Sequence, residues 1–106
     1  MFEFDLTDTE MSILCLIDKK GRSVREISWL LDIPTVTCYR GISYMLTKDL
    51  VQINGTALTR DGKRYTKYLS NVSSYSIHLE NGNITKTLRL KNKEKPIIVM
   101  SNPAVD

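Results

Sequence analysis

Over the first fifty residues the apolar positions recur at helical spacing, and from Ser73 onward apolar and polar positions alternate. Thr7 followed three positions later by Glu10 forms a capping box, in which hydroxyl and carboxylate each satisfy a backbone N–H left bare at a helix start. A first helix is therefore expected over about residues 8–19. It is apolar on more than one side, through Met11, Ile13, Leu14, Cys15, Leu16 and Ile17, and so needs cover from two directions. Lys19 and Lys20 suit its negative end, and Gly21 can adopt the left-handed conformation that stops it. Ser23 and Glu26 repeat the capping signature and open a second helix through Leu31, with Val24, Ile27 and Leu31 on one face. Asp32, Ile33 and Pro34 break the pattern, because proline lacks the amide needed inside a helix but tolerates its first turn. A third helix is expected over about residues 35–48, with Cys38, Ile42 and Met45 inward. Two short helices separated by such a turn form a helix-turn-helix arrangement.

After Asp49 the period changes. Residues 50–53 read as a strand, Asn54-Gly55 is a strong hairpin signal, and residues 56–58 return. Thr59 is then expected to cap a fourth helix, residues 60–70, carrying Tyr65, Tyr68 and Leu69. From Ser73 onward the pattern is all β: residues 75–79 and 84–90 alternate around a turn at Glu80-Asn81-Gly82-Asn83. Residues 91–95 read as a basic loop, and residues 96–100 as a third strand or an arm. The class implied is α+β.

A chain of 106 residues with 42% apolar content builds one main domain and an accessory segment, here residues 1–72 and 73–106. The second segment is expected to pack on the first or to join subunits. There is no apolar run of membrane-spanning length, and the start, MFEFDLTDTE, is acidic where a secretory signal is basic and then oily, so a soluble cytoplasmic protein is expected. Cys15 and Cys38 lack metal-ligand spacing and read as reduced core residues. The net charge of +3 leans gently toward a polyanionic partner, and the excess is spread along the chain, so any basic patch must be made by folding. No nucleophile triad, glycine-rich phosphate loop or metal cluster is legible, so neither an enzyme nor a cofactor is expected. His78 stands alone in a strand, and the acids Asp5, Asp8, Glu10 and Asp18 suit the first helix and its cap.

The block LDIPTVTCYRGISYMLTKDLV, Leu31 to Val51, resembles the recognition-helix block of winged helix regulators of the MarR, ArsR and IclR kinds. Ile33 takes the aliphatic turn position, Thr37 and Cys38 the Thr-Val pair, Arg40 the arginine, Ile42 and Met45 the two core leucines, and Leu50 and Val51 the start of the wing. SVREISWLL upstream looks like the family's second helix, and LTRDGKRYTKYL downstream looks like its helix after the wing. The resemblance covers about residues 7–70. It implies a winged helix-turn-helix with a three-helix core, a short β-hairpin wing and a fourth helix, followed here by a C-terminal β-hairpin extension.

That resemblance further implies a transcriptional regulator that reads double-stranded DNA in the major groove with its third helix while wing and helix N-termini grip phosphates. The groove-facing residues would be Thr35, Val36, Thr37, Tyr39, Arg40, Ser43 and Tyr44. Arg40 is best suited to guanine O6 and N7, Val36 to a thymine methyl, and Thr37 and Ser43 to phosphates. Arg22, Ser23 and Arg25 would meet phosphate at the second helix, with Lys63 and Arg64 as secondary contacts. A wing tip of only Asn54, Gly55 and Thr56 implies modest affinity per subunit and hence a homodimer. Trp29 and Leu30 stand where relatives carry charged residues, so cover from the first helix or the C-terminal hairpin is expected, or else a partner interface. An alternative function is a protein adaptor that uses Trp29, Leu30 and the third helix. A third is single-stranded nucleic-acid binding through Tyr39, Tyr44, Tyr65 and Tyr68.

Overall fold

Threonine and glutamate do close the chain's first turn. In the computed structural model, which describes residues 5–103, the Thr7 N–H donates to Glu10 Oε1 at 2.9 Å and the Glu10 N–H to Thr7 Oγ1 at 3.1 Å. From this cap α1 (Asp8–Leu16) runs to Ile17, short of the expected end at Lys19. Gly21 does not stop it by a left-handed turn. Its φ is not among the positive ones, and its function is spatial: a Cβ there would lie 2.2 Å from Asn54 Nδ2.

Ser23 caps α2 (Val24–Leu31) by accepting from the Glu26 N–H, and Asp32 ends that helix in the left-handed region. Pro34 occupies the N-cap of α3 (Thr35–Thr47), so no side chain caps that helix. At its far end Asp49 turns left-handed with φ 64°, while the Leu50 N–H reaches Met45 O at 2.9 Å and the Asp49 N–H reaches Leu46 O. This paired closure satisfies carbonyls that a helix end otherwise leaves bare. Ile13, Ile17, Val24, Ile27, Cys38, Ile42, Met45, Leu50 and Val51 form the core of this unit, Asp5–Asn71. Cys15 is not part of it: the thiol is exposed, whereas Cys38 is buried. Together with Met11, Leu16 and Leu31 it lines an open groove, so α1 lacks the second cover its pattern called for.

Gly41 lies inside α3 against α1, and a Cβ there would meet Glu10 Cγ at 3.5 Å and Ile13 Cδ1 at 3.6 Å, which is ordinary van der Waals contact. Gly41→Ala is therefore expected to stabilise the protein by about 0.5–1 kcal/mol, because glycine loses more backbone entropy in a helix than alanine. A urea midpoint that falls in the variant would show that the α1–α3 contact is tighter than it looks.

The segment expected to form a short wing and a fourth helix is instead one long hairpin. β1 (Val51–Leu58) pairs antiparallel with β2 (Arg64–Ser70), from Val51 opposite Ser70 to Leu58 opposite Arg64. Asn54-Gly55 is a bulge within β1, with Gly55 at φ 82°, and the chain turns at residues 59–63. Thr59 does not cap a helix. Its N–H donates to Lys63 O, its hydroxyl accepts from the Lys63 N–H, and Gly62 takes φ 82°. A helix over residues 60–70 would have held Gly62, Thr66 and two tyrosines, whereas strand pairing suits Tyr65, Thr66 and Tyr68. The Arg22 backbone bridges the other edge of β2, exchanging hydrogen bonds of 3.0 and 2.8 Å with Tyr68.

A second unit begins at Val72. It is an antiparallel meander of β3 (Val72–Glu80), β4 (Asn83–Leu90) and β5 (Ile97–Ser101), in that spatial order. Asn81 and Gly82 both have positive φ, as a two-residue hairpin turn requires, and residues 97–101 form a strand rather than an arm. Leu88 and Leu90 are buried, while Ile77, Leu79, Ile98 and Met100 remain exposed. The described chain is thus α+β, with three helices and two small antiparallel sheets. The expected division into residues 1–72 and 73–106 also takes in residues 1–4 and 104–106, which lie outside the described ones. No described helix is long and apolar enough to cross a membrane.

Candidate nucleic-acid interface

The two faces of α3 differ completely. Cys38, Ile42 and Met45 are buried, and burial pushes the Cys38 thiol up from its usual pKa, which keeps it protonated and inert. Thr35, Val36, Thr37, Tyr39, Arg40 and Ser43 are all exposed. Val36 lies three and four positions before Tyr39 and Arg40, and Ser43 four and three after them, so the four share one side of the helix. Arg40 makes no ion pair among the described residues. The nearest acidic candidate on α2, Glu26, is occupied by Arg22 at 3.1 Å. Tyr44 is set apart from these four: it is half-buried, and Lys48 Nζ lies 5.9 Å from its ring centroid.

At the start of α2 three expected phosphate ligands take different positions. Ser23 is buried, and its hydroxyl is committed to the Glu26 N–H. The Arg22 guanidinium is three-quarters covered and turned to Glu26. Arg25 is exposed and is the free cation of the three. One turn further on, Trp29 is 81% exposed and Leu30 43%, so α1 does not cover this pair. A shallow depression beside Trp29 is lined by Arg25, Asp32, Pro34 and Thr35.

Moving the hairpin turn from residues 54–55 to 59–63 changes the chemistry of its tip. Asn54 and Gly55 are replaced there by Arg60, Asp61 and Lys63, followed by Arg64, all exposed. The Thr59 hydroxyl donates to Asp61 Oδ1 and holds that carboxyl below its usual pKa, and the charge of Arg25 adds to the effect. The body of the hairpin lies against α2 through β2. Between them lies a cleft of about 250 Å³, lined by Ser23 and Arg25 of α2, Tyr39 of α3, and Arg64, Thr66 and Tyr68 of β2. The last three share one face of the strand at two-residue spacing.

The sequence pattern placed Arg64 and Tyr68 on a helix and gave Thr66 no part in a site. The signal that would have recovered all three is the strand propensity of Tyr65, Thr66 and Tyr68 just after Gly62. Elsewhere His78 lies 3.4 Å from Glu80 Oε2, both of them exposed, and no group of three or more metal-ligating side chains occurs among the described residues. No protein-family model matches the chain, and comparison with curated proteins finds no significant match.

Proposed function

We propose that this chain is a sequence-specific double-stranded DNA-binding regulator with a winged helix-turn-helix, that α3 reads the major groove, and that it acts as a homodimer. The observation carrying this reading is the exposed set Val36, Tyr39, Arg40 and Ser43 on a helix whose opposite face is sealed in the core. A helix so mounted can enter a groove about 12 Å wide without exposing its packing surface. Arg60 and Lys63 on the hairpin turn, together with Arg25, supply cations that can hold flanking phosphates.

The test is binding to duplexes selected from a random library, measured across a salt series. Log affinity is expected to fall linearly with log salt at about 0.9 per phosphate neutralised. Affinity that stays flat across the series removes duplex recognition from consideration.

Trp29 and Leu30 favour a second reading, a protein adaptor, because an exposed tryptophan beside leucine is a typical anchor for a partner. Trp29 is the chain's single tryptophan, so a blue shift of its emission on partner binding would report contact there. Such an interface would be nearly indifferent to salt.

A further inference from the structure

We infer that the cleft between α2 and the β1–β2 hairpin is a binding site for a mononucleotide, a single aromatic base carrying one phosphate. Two guanidinium groups open onto it, Arg25 from α2 and Arg64 from β2. Neither makes a salt bridge among the described residues, and a planar guanidinium matches the oxygens of a phosphate in pairs. Tyr39 and Tyr68 line the same space and offer ring faces on which a base can stack. Thr66 adds a hydroxyl on the strand face between Arg64 and Tyr68. At about 250 Å³ the cleft falls below the usual range for drug-sized ligands, roughly 300–1,000 Å³, so its size suits a small ligand.

The site shares Arg25 and Tyr39 with the proposed duplex interface but not Arg40, so Arg40→Ala distinguishes failure of the one reading from failure of the other. The ligand can be a free mononucleotide or one unpaired nucleotide of a strand, and separate probes distinguish these sources. Calorimetry on the full chain at fixed ionic strength would compare adenosine and uridine monophosphates with inorganic phosphate, adenosine and a thymidine decamer. A monophosphate is expected to bind about tenfold or more tighter than phosphate or adenosine alone, since ring and phosphate contacts add. Arg64→Ala and Tyr39→Ala should each weaken it about tenfold, with unchanged thermal midpoints because both side chains are exposed. Arg40→Ala should leave it unchanged. Tighter binding of the decamer than of the monophosphates would assign the site to a strand, and the reverse to a free ligand. The proposal is overturned if inorganic phosphate binds as tightly as either monophosphate, or if neither monophosphate saturates at millimolar concentration. It is equally overturned if Arg64→Ala and Tyr39→Ala change nothing. Loss of duplex binding in Arg40→Ala alongside intact monophosphate binding would separate the two sites.

Discussion

Arg40→Ala is expected to weaken specific duplex binding by roughly 1 to 3 kcal/mol, about 5- to 150-fold in Kd, while leaving the fold intact. The arginine is exposed on the solvent side of α3, and no carboxylate among the described residues holds it. Removing it therefore breaks no internal ion pair, and its effect on unfolding should stay within about 0.5 kcal/mol. Its neighbours Tyr39 and Ser43 keep their positions, so only the contact made by the guanidinium disappears. A base-reading arginine also has a second signature: preference should relax at one base pair, whereas Arg25→Ala or Lys63→Ala should lower affinity evenly across sequences and reduce the salt slope by about 1. Competition binding with a panel of single-base variants measures both effects. Equal affinity of wild type and Arg40→Ala for the selected duplex would mean that α3 does not lie in the groove.

On the opposite side of the same helix, Ile42→Ala should cost about 2 to 5 kcal/mol of folding stability. Ile42 is fully buried with Cys38 and Met45 beside it and Ile13, Ile17 and Ile27 in the same core. A small domain has only about 5 to 15 kcal/mol in total, so the variant should be largely unfolded at moderate urea. Ile42→Val, which removes one methylene-sized group, should cost about 0.5 to 1.5 kcal/mol and remain folded, giving a graded comparison. Far-UV circular dichroism is the appropriate readout, since Trp29 is already 81% exposed in the folded state and its emission would change little. A cost below that of the valine variant would place Ile42 outside the core.

Both variants act on a helix whose two faces are distinguishable by spacing alone. Cys38, Ile42 and Met45 recur at 3.6-residue intervals, and the structure buries all three. The Thr7–Glu10 cap was equally legible, because it acts within four residues of chain, whereas of the Ser23–Glu26 pair only the serine half forms and the glutamate turns to Arg22. The turn at Asn81-Gly82 and its two flanking strands are likewise local. Asn54-Gly55 carries the same turn signal and yet forms a bulge. Its fate depends on the residues that follow: Thr56, Ala57 and Leu58 gain three cross-strand partners in Thr66, Tyr65 and Arg64 only if the chain runs on to residue 59. Asn54 also settles into the space left by Gly21, thirty-three positions away, which no local pattern records.

Local sequence therefore determined where the three helices begin, which side of α3 is apolar, and where the β3–β4 hairpin turns, because caps, helical period and positive-φ glycines act over a few residues. Tertiary structure alone decided that residues 60–70 belong largely to a strand and that Arg25, Tyr39 and Arg64 meet at one cleft. Each of those outcomes is set by which distant segment packs or pairs nearby, and the free energy of that choice is shared between segments rather than carried by either one.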